Sequence, residues 1–189
     1  MFRALSTAGL VSLFAAMAIA QAPQALTVTS PTLKAGETIP RDYTADGKNV
    51  SPPLQWSGAP APTKEFAVVC DDPDVPMPQP FVHWVIYKIP GTAKGLPENI
   101  PIDPAAAMPA DVAGAVQGTS GFRRPIYRGP APPPGKPHHY HFTVYAIDAV
   151  LDLKPGLTKA ELLEAIKGHV VGEGELVAIY ERKPSAEQP

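Results

Sequence analysis

Two carboxylates and several histidines stand where short apolar runs end or begin. Asp72 and Asp74 share one turn directly after an apolar run, separated by a proline, and His83 lies in the next run. Residues 138–141 read His-His-Tyr-His and follow a proline-rich stretch. Because a charge beside a buried strand requires a partner, we expect these groups to come together. Carboxylates with imidazoles suit acid–base chemistry, metal binding or the holding of a polar ligand.

Strand alternation sorts the residues of the histidine cluster. His138 and Tyr140 are expected to point to one face of a strand, and His139 and His141 to the other. An imidazole beside a phenol offers hydrogen-bonding groups to a negatively charged oxygen. This pair is therefore a suitable lining for a pocket that binds an oxyanion.

The run around His83 follows the same rule. Phe81 and His83 are predicted to share one face, and Trp84 to face the opposite layer, where it packs. A lone strand histidine is often only a hydrogen-bonded core or rim residue. His83 is therefore open to a structural interpretation as well as a functional one.

Structural interpretations also exist for the other candidates. The turn at Asp72 and Asp74 could simply be closed by Asx hydrogen bonds. The histidine cluster could be an exposed edge strand, or a metal site through His139 and His141, although no carboxylate or cysteine stands at close spacing. We expect neither a metal nor another cofactor.

Catalytic signatures are weak. Ser120 lies in Gly-Thr-Ser-Gly, which is not the Gly-x-Ser-x-Gly elbow of a hydrolase, and no strand-to-helix pattern surrounds it. Metal-assisted hydrolysis would require three converging ligands, for which His83, His138 and Asp72 are the candidates. Since no recognised motif stands in its structural context, we expect the protein not to be an enzyme.

Six short runs rich in β-branched or aromatic residues predict strands, each bounded by Pro, Gly or Asp. They are residues 26–30, 54–56, 66–70, 81–89, 140–147 and 175–180. The second half of the chain also indicates a helix. Thr158 and Glu161 form a capping box, apolar residues at 162, 163 and 166 form a stripe, and Gly168 can end the helix.

Two of these runs, 66–70 and 82–87, have few polar interruptions, which is typical of strands covered on both faces. Between 89 and 137, by contrast, prolines recur throughout and exclude any interior strand or long helix. We expect one extended excursion within a single domain. A loop of this length usually carries function when it is ordered.

Length, charge and thiol content bound the class of protein. The chain has 189 residues, of which 44% are hydrophobic, enough for one domain core. Its formal net charge is −2 with no basic cluster, which disfavours nucleic acid as a partner. Cys70 is the only cysteine, so no intrachain disulfide can form, and its apolar surroundings predict a buried packing residue.

The amino terminus has the pattern of a secretory leader. Arg3 precedes an apolar segment, and residues 18–20 offer a small-residue cleavage site. We expect residues 1–20 to be a signal peptide, residues 21–183 one domain and residues 184–189 a disordered tail. The mature protein is then periplasmic or secreted and has no transmembrane segment. An uncleaved amino-terminal anchor is the alternative.

Five motifs in register resemble the phosphatidylethanolamine-binding protein family, in its bacterial Raf-kinase-inhibitor-like branch. These motifs are Asp46–Trp56, Asp72–Pro76, His83–Trp84, Tyr127–Pro133 and His138–Tyr140. The resemblance covers residues 26–182 approximately. Several motifs in family order are much more specific than any single one.

The resemblance implies a mostly β fold, an antiparallel, Greek-key-like β-sandwich with a long proline-rich excursion and one short helix in the C-terminal half. It also implies one pocket for phosphate-like anions and phospholipid head groups, lined by Asp72, Asp74, His83, Gly129, Pro132, His138 and Tyr140. Three positions depart from the family pattern. Phe81 stands in place of a frequent tryptophan, His139 in place of an arginine, and Ala131 in place of a glycine or cysteine.

Elementary electrostatics assigns roles within such a pocket. Two carboxylates would repel a bare phosphate, so we expect Asp72 and Asp74 to orient His83 and His138, or to meet the ammonium of a zwitterionic head group. Backbone amides and a protonated histidine would receive the phosphate.

Together these inferences predict an exported, non-enzymatic protein that binds phosphate-like anions or phospholipid head groups such as phosphorylethanolamine. The alternative is an inhibitor or regulator of a protein partner, such as a protease, acting through the proline-rich loop at residues 127–137. The sequence also leaves a homodimer open.

Overall fold

Two β-sheets and one short helix make up the part of the chain that the structure describes, residues 22–103 and 105–183 of a computed structural model. The strands are β1 Gln24–Ala25, β2 Thr27–Thr29, β3 Leu54–Ser57, β4 Glu65–Asp72, β5 Phe81–Pro90, β6 Gly95–Leu96, β7 Val116–Gln117, β8 His138–Ile147 and β9 Val170–Tyr180. The helix α1 spans Lys159–Ala165, and 3-10 turns occur at Arg41–Tyr43 and Ala110–Val112. The predicted signal peptide, residues 1–20, and the predicted tail, residues 184–189, lie outside the described residues.

The larger sheet has the strand order β1-β9-β8-β4-β5-β7, and the smaller sheet has the order β2-β3-β6. All eight residues of the central strand β4 are buried, and β4 pairs in antiparallel fashion with β5 and β8. The chain therefore leaves the sheet on one side of β4, at β5 and β7, and re-enters it on the other side as β8. This is a Greek-key-like connection. Among the strands named above, only β1 departs from the antiparallel prediction, since it runs parallel to β9.

Apolar side chains of the two sheets meet in one core. Trp56 of the smaller sheet packs against Phe66 of the larger sheet, with ring centroids 5.1 Å apart. The same core holds further residues from both sheets, among them Val28, Leu54, Val68, Phe142 and Val144. This packing confirms the predicted β-sandwich.

The opposite face of the larger sheet is covered by α1. Leu162 of the helix and Ile166, its C-cap residue, pack with Ala67 and Val69 of β4 and with Tyr87 of β5. Both neighbouring strands are thus buried on two faces, as their uninterrupted apolar runs predicted.

The helix begins and ends as its sequence predicts. The Thr158 hydroxyl accepts a hydrogen bond from the Glu161 N–H, and the Glu161 carboxylate accepts one from the Thr158 N–H, which completes the capping box. Gly168 follows the last turn with a φ of +83°, a conformation that glycine adopts without strain.

A β-bulge interrupts the pairing of β4 with β5. Cys70 pairs with Trp84 and Asp71 pairs with Val82, so His83 is an extra residue on β5. Trp84 packs in the core between the sheets, and the His83 ring lies 5.1 Å from that of Tyr140, a residue of the same core. The prediction that Trp84 faces the layer opposite His83 is therefore wrong, because strict alternation fails at a bulge.

The proline-rich connection contributes strands only at the edges of the sheets. β6 pairs with β3, and β7 pairs with β5. Prolines elsewhere in the connection have no N–H to donate to a strand ladder. Among the described residues, no helix is long and apolar enough to cross a membrane.

Cys70 is the sixth of the eight residues of β4 and is completely buried. Burial, together with the neighbouring charges of Asp71 and Asp72, raises the pKa of its thiol well above the usual range. The structure thus confirms that Cys70 is a buried packing residue.

Candidate functional site

Asp72, a residue that is only 2% exposed, ends the central strand. Its Oδ1 accepts a hydrogen bond from the Asp74 N–H at 2.8 Å, and its Oδ2 accepts one from the Nδ1 of His138 at 2.7 Å. The first bond is the Asx turn that the sequence suggested. The second fixes the His138 ring, so both oxygens already have partners within the protein.

His138 and Tyr140 lie on the inward face of β8, as alternation predicts, while His139 and His141 point outward. Because Nδ1 of His138 is held by Asp72, its Nε2 is the nitrogen left to meet a ligand. The Tyr140 hydroxyl is buried and is the one such side-chain atom without a hydrogen-bond partner in the described chain.

Burial raises the pKa of the Tyr140 phenol far above its usual range. The Asp72 carboxylate acts in the same direction, through its charge and through a side-chain contact with the hydroxyl that falls short of hydrogen-bond geometry. The phenol therefore keeps its proton at neutral pH. A buried, protonated hydroxyl without a partner is a hydrogen-bond donor ready for a negatively charged oxygen.

The His83 side chain extends from β5 toward Tyr140. Its Nδ1 lies 2.7 Å from the carbonyl oxygen of Arg128, to which it donates, and its ring packs edge-on against Tyr140. Burial lowers the pKa of His83 below 6.5, although the hydrogen bond to Arg128 opposes this effect. At neutral pH the imidazole is therefore uncharged, and its Nε2 is an acceptor.

The proline-rich loop is held over these side chains by the segment around residues 43–49. The Tyr127 hydroxyl donates to the Tyr43 carbonyl at 2.6 Å, and the Gly129 N–H donates to Oδ1 of Asn49 at 2.8 Å. A Cβ at Gly129 would lie 2.2 Å from the Tyr43 carbonyl oxygen, so only glycine permits this approach.

Gly129 is thus explained by packing, because its amide is already used by Asn49. Four of the five residues at 130–134 are prolines, so Ala131 carries the only N–H of that stretch. That N–H donates to no residue among those the structure describes. Any backbone contact from this loop to an anion is therefore expected from Ala131.

Arg128 places a positive charge at the edge of this group of side chains. The guanidinium carbon of Arg128 lies 4.6 Å from the centroid of the Phe122 ring, a cation–π arrangement. Phe122 in turn packs edge-on against Phe81 and His83, with centroids 4.9 and 5.5 Å away. The aromatic rings therefore fix the position of the positive charge.

These groups surround a cavity of about 210 Å³. Six of the seven predicted binding residues line it, namely Asp72, His83, Gly129, Pro132, His138 and Tyr140. The lining also includes residues that sequence reasoning did not select, namely Val75, Phe81, Phe122, Arg128, Ala131 and Pro133. Phe81 and Ala131 among them stand at positions where the chain departs from the family pattern. Arg128 had a detectable signal as well, as the cation next to Gly129 within the Tyr127–Pro133 motif.

Asp74 is not among the lining residues. Its carboxylate accepts hydrogen bonds from the His139 N–H and ring, both at 2.7 Å. The backbone hydrogen bond, followed by the ring contact, lowers the pKa of Asp74. Asp74 therefore orients the exposed His139, whereas we expected it to orient His83 or His138.

The cavity offers both hydrogen-bond donors and acceptors. The Tyr140 hydroxyl and the Ala131 N–H are donors, and Arg128 adds a positive charge at the rim. No group of three His, Cys, Asp or Glu side chains suited to a metal ion occurs in the described ranges. Such a set of groups can bind a small anion or an anionic head group.

Comparison with known proteins points to one family. The family model for phosphatidylethanolamine-binding protein matches residues 29–181. A UPF0098 protein from Methanothermobacter thermautotrophicus is 49% identical over 144 residues, which cover 76% of this chain and 91% of that protein.

Solved structures of two members of this family also match the chain. Escherichia coli YbcL, described as a member of the mammalian PEBP family, matches with a TM-score of 0.76 and 34% identity, over 84% of this chain and 99% of that chain. The PEBP homologue CT736 from Chlamydia trachomatis matches with a TM-score of 0.73 and 33% identity, over 85% and 99% of the two chains.

The close approach of Gly129 to the Tyr43 backbone predicts a large effect of a single methyl group. We expect Gly129→Ala to lower the free energy of unfolding by about 1 to 3 kcal/mol or more, because backbone must move to make room. Urea denaturation measures this loss. Gly135→Ala in the same loop is the control, since a Cβ there meets nothing within 4 Å and only its positive φ is unfavourable. Equal losses in the two variants would contradict the packing role.

The lowered pKa of His83 predicts a pH-dependent stability. Between the folded pKa and about 6.5 the unfolded chain binds the proton and the folded chain does not, so the free energy of unfolding falls as the pH falls through this window. His83→Gln keeps a donor for the Arg128 carbonyl but cannot titrate. Denaturation at about pH 7.5 and about pH 5 should show a larger loss in wild type than in His83→Gln, by about 1.4 kcal/mol for each unit of pKa shift. Identical losses would refute the assignment.

Proposed function

We propose that this chain, which belongs to the phosphatidylethanolamine-binding protein family, uses the cavity at the ends of β4 and β8 to bind phosphate-like anions or the head groups of phospholipids. Family membership supports a binding protein of this general kind. The identity of the ligand and the role of each side chain are the content of the proposal.

The buried hydroxyl of Tyr140 carries this proposal. A buried polar group without a partner costs free energy, typically about 1 to 3 kcal/mol, unless something in its surroundings satisfies it. An anionic oxygen inside the cavity would accept from Tyr140 and lie within the field of Arg128. The N–H of Ala131, which also lines the cavity, supplies a second donor.

The acceptors of the cavity favour a zwitterion over a bare phosphate. The Nε2 of neutral His83 can accept a hydrogen bond, and Asp72 adds negative charge although its oxygens are already bonded. An ammonium placed toward His83 would therefore be stabilised, while the phosphate lies toward Tyr140. The cavity volume of about 210 Å³ suits a group of this size.

We further propose that the protein binds and releases its ligand without chemical change. The Ser120 hydroxyl donates to the Arg124 carbonyl at 3.0 Å and closes a local turn. Tyr140, as a phenol with a raised pKa, is a poor nucleophile. Asp72 holds His138, but no hydroxyl or thiol lies in hydrogen-bond contact with that ring among the described residues.

Export is a separate proposal that rests on the amino-terminal pattern, with Arg3 before an apolar segment and a cleavage site near residue 20. Fractionation of cells that express the full chain, followed by mass determination of the purified protein, tests it. A periplasmic or secreted product that begins near Gln21 is expected. A full-length product in the cytosol would refute it.

Replacement of Tyr140 by phenylalanine tests the head-group site, since it removes one oxygen and leaves the ring in the core. We expect about 10- to 100-fold weaker binding of glycerophosphoethanolamine, as is typical for loss of a hydrogen bond to a charged group. Calorimetric titration measures this affinity. The ligand is a phosphodiester, so its own charge is constant across the neutral pH range.

Tyr145→Phe is the matched control. Tyr145 is on the same strand but packs on the face covered by α1, and burial raises its pKa to about 12. It should bind as wild type does. Unchanged affinity in Tyr140→Phe, or an equal loss in both variants, would contradict the site.

A further inference from the structure

Two histidines that do not line the cavity lie next to each other on the outer face of β8. His139 and His141 stand at positions i and i+2 of the strand, on the face opposite His138 and Tyr140. The sequence left open a metal site through these two residues but showed no carboxylate close to them along the chain. The fold brings two carboxylates to this face.

Each of the two imidazoles is oriented by a carboxylate from a distant part of the chain. Nδ1 of His139 donates to the Asp74 carboxylate at 2.7 Å, and Nδ1 of His141 donates to the Glu175 carboxylate at 3.0 Å. Because the proton lies on Nδ1, the lone pair of the uncharged ring lies on Nε2. Metal-binding histidines are typically held in this way, with the other ring nitrogen donating to a carboxylate.

The Nε2 atoms of both rings are accessible for binding. Within the described part of the chain, the hydrogen bonds of these two rings involve only Nδ1. The side chain of His139 is 52% exposed and that of His141 is 31% exposed. An ion can therefore reach both rings from solvent.

The spacing of the two residues suits a chelate. Positions i and i+2 of a strand lie about 6.6 Å apart. Two imidazoles that bind one ion, each at about 2.0 to 2.1 Å, bring their Nε2 atoms to within about 3 Å of each other. A tilt of the two rings toward each other covers this difference, and the half-exposed Glu175 side chain can follow the His141 ring.

The charges around the two rings favour a cation. Asp74 and Glu175 each bring a negative charge, and β9 places uncharged residues directly opposite both histidines. Asp71 lies opposite His141 on β4, and its charge is compensated by an ion pair with Lys159 of α1. The uncompensated charges beside the imidazoles are therefore negative.

We propose that His139 and His141 form a surface site for a divalent transition-metal ion, with Asp74 and Glu175 as the residues that orient the two ligands. Imidazole nitrogens suit copper, nickel and zinc, and Cu(II) binds such ligands most tightly. No group of three His, Cys, Asp or Glu side chains converges there in the part of the chain that the structure describes. Water completes the coordination, so the ion remains exchangeable. The site lies on the opposite face of β8 from the cavity and is separate from the proposed function.

Titration of the untagged protein with copper(II) chloride at about pH 7.5 tests the proposal. We expect one saturable site per chain, and an electron paramagnetic resonance spectrum that shows two nitrogen ligands on the bound Cu(II). His139→Gln and His141→Gln should each weaken binding by about 10- to 100-fold, because a single imidazole loses the advantage of chelation. Glutamine can still donate to the neighbouring carboxylate, and both positions are accessible to solvent, so folding is not at stake.

Glu175 is tested as a positioning residue. Glu175→Ala removes the acceptor for the His141 ring and should weaken Cu(II) binding by about 10-fold. Glu175→Gln keeps an acceptor oxygen and should restore most of this loss. Affinity equal to that of wild type in Glu175→Ala would refute the role of the carboxylate.

His169→Gln is the matched control for the two histidine variants. The His169 side chain is 44% exposed, and its Nδ1 lies 3.0 Å from the Asp148 carboxylate. It thus has the same contact with a carboxylate but no second histidine two residues away. Its replacement should leave the affinity for Cu(II) unchanged.

Three results would overturn the metal site. If His139→Gln and His141→Gln bind Cu(II) as wild type does, the ion is bound elsewhere, for example by His83 and His138 in the cavity. An equal loss in His169→Gln, or binding that does not saturate, would indicate nonspecific binding to exposed imidazoles.

Discussion

The buried carboxylate of Asp72 is the constraint on which the site depends. Removing an ionised group from water is very unfavourable unless hydrogen bonds compensate. Asp72 obtains one bond from its own turn, through the Asp74 N–H, and one from another strand, through His138. The end of β4, the turn after it and the start of β8 are thereby fixed relative to one another. A single side chain thus positions the imidazole and closes the loop beside it.

The other wall is fixed by backbone contact, not by charge. Tyr127, Gly129 and Pro130 are bonded to the segment that contains Tyr43, Ala45 and Asn49, so the proline-rich loop is held at three successive points. Prolines lower the entropy that this loop loses on folding, and the close approach at Gly129 sets its height above the cavity. The cavity is consequently preformed, which lowers the cost of binding because few groups need to be ordered.

Much of this arrangement could be predicted from local patterns. The strands, the capped helix and the inward orientation of His138 and Tyr140 follow from periodicity and capping residues, which are properties of neighbouring positions. The bulge at His83 could not be predicted in this way, because it depends on how β5 pairs with β4. The contact of Gly129 with Tyr43 joins positions far apart in the chain, and so does the pairing of Asp74 with His139. Residue types thus indicated which groups were present, while their division into ligand-facing and structural roles required the tertiary contacts.

The position of Cys70 has a consequence for how the fold can be observed. Its thiol is enclosed in the core between the two sheets, on the strand that lies between β5 and β8. A thiol reagent can reach it only after the central strand has separated from a neighbour, a large opening of the molecule. The rate of thiol modification thus reports the opening of the sandwich core directly. For the same reason the native protein resists oxidation and mixed disulfide formation in an oxidising compartment.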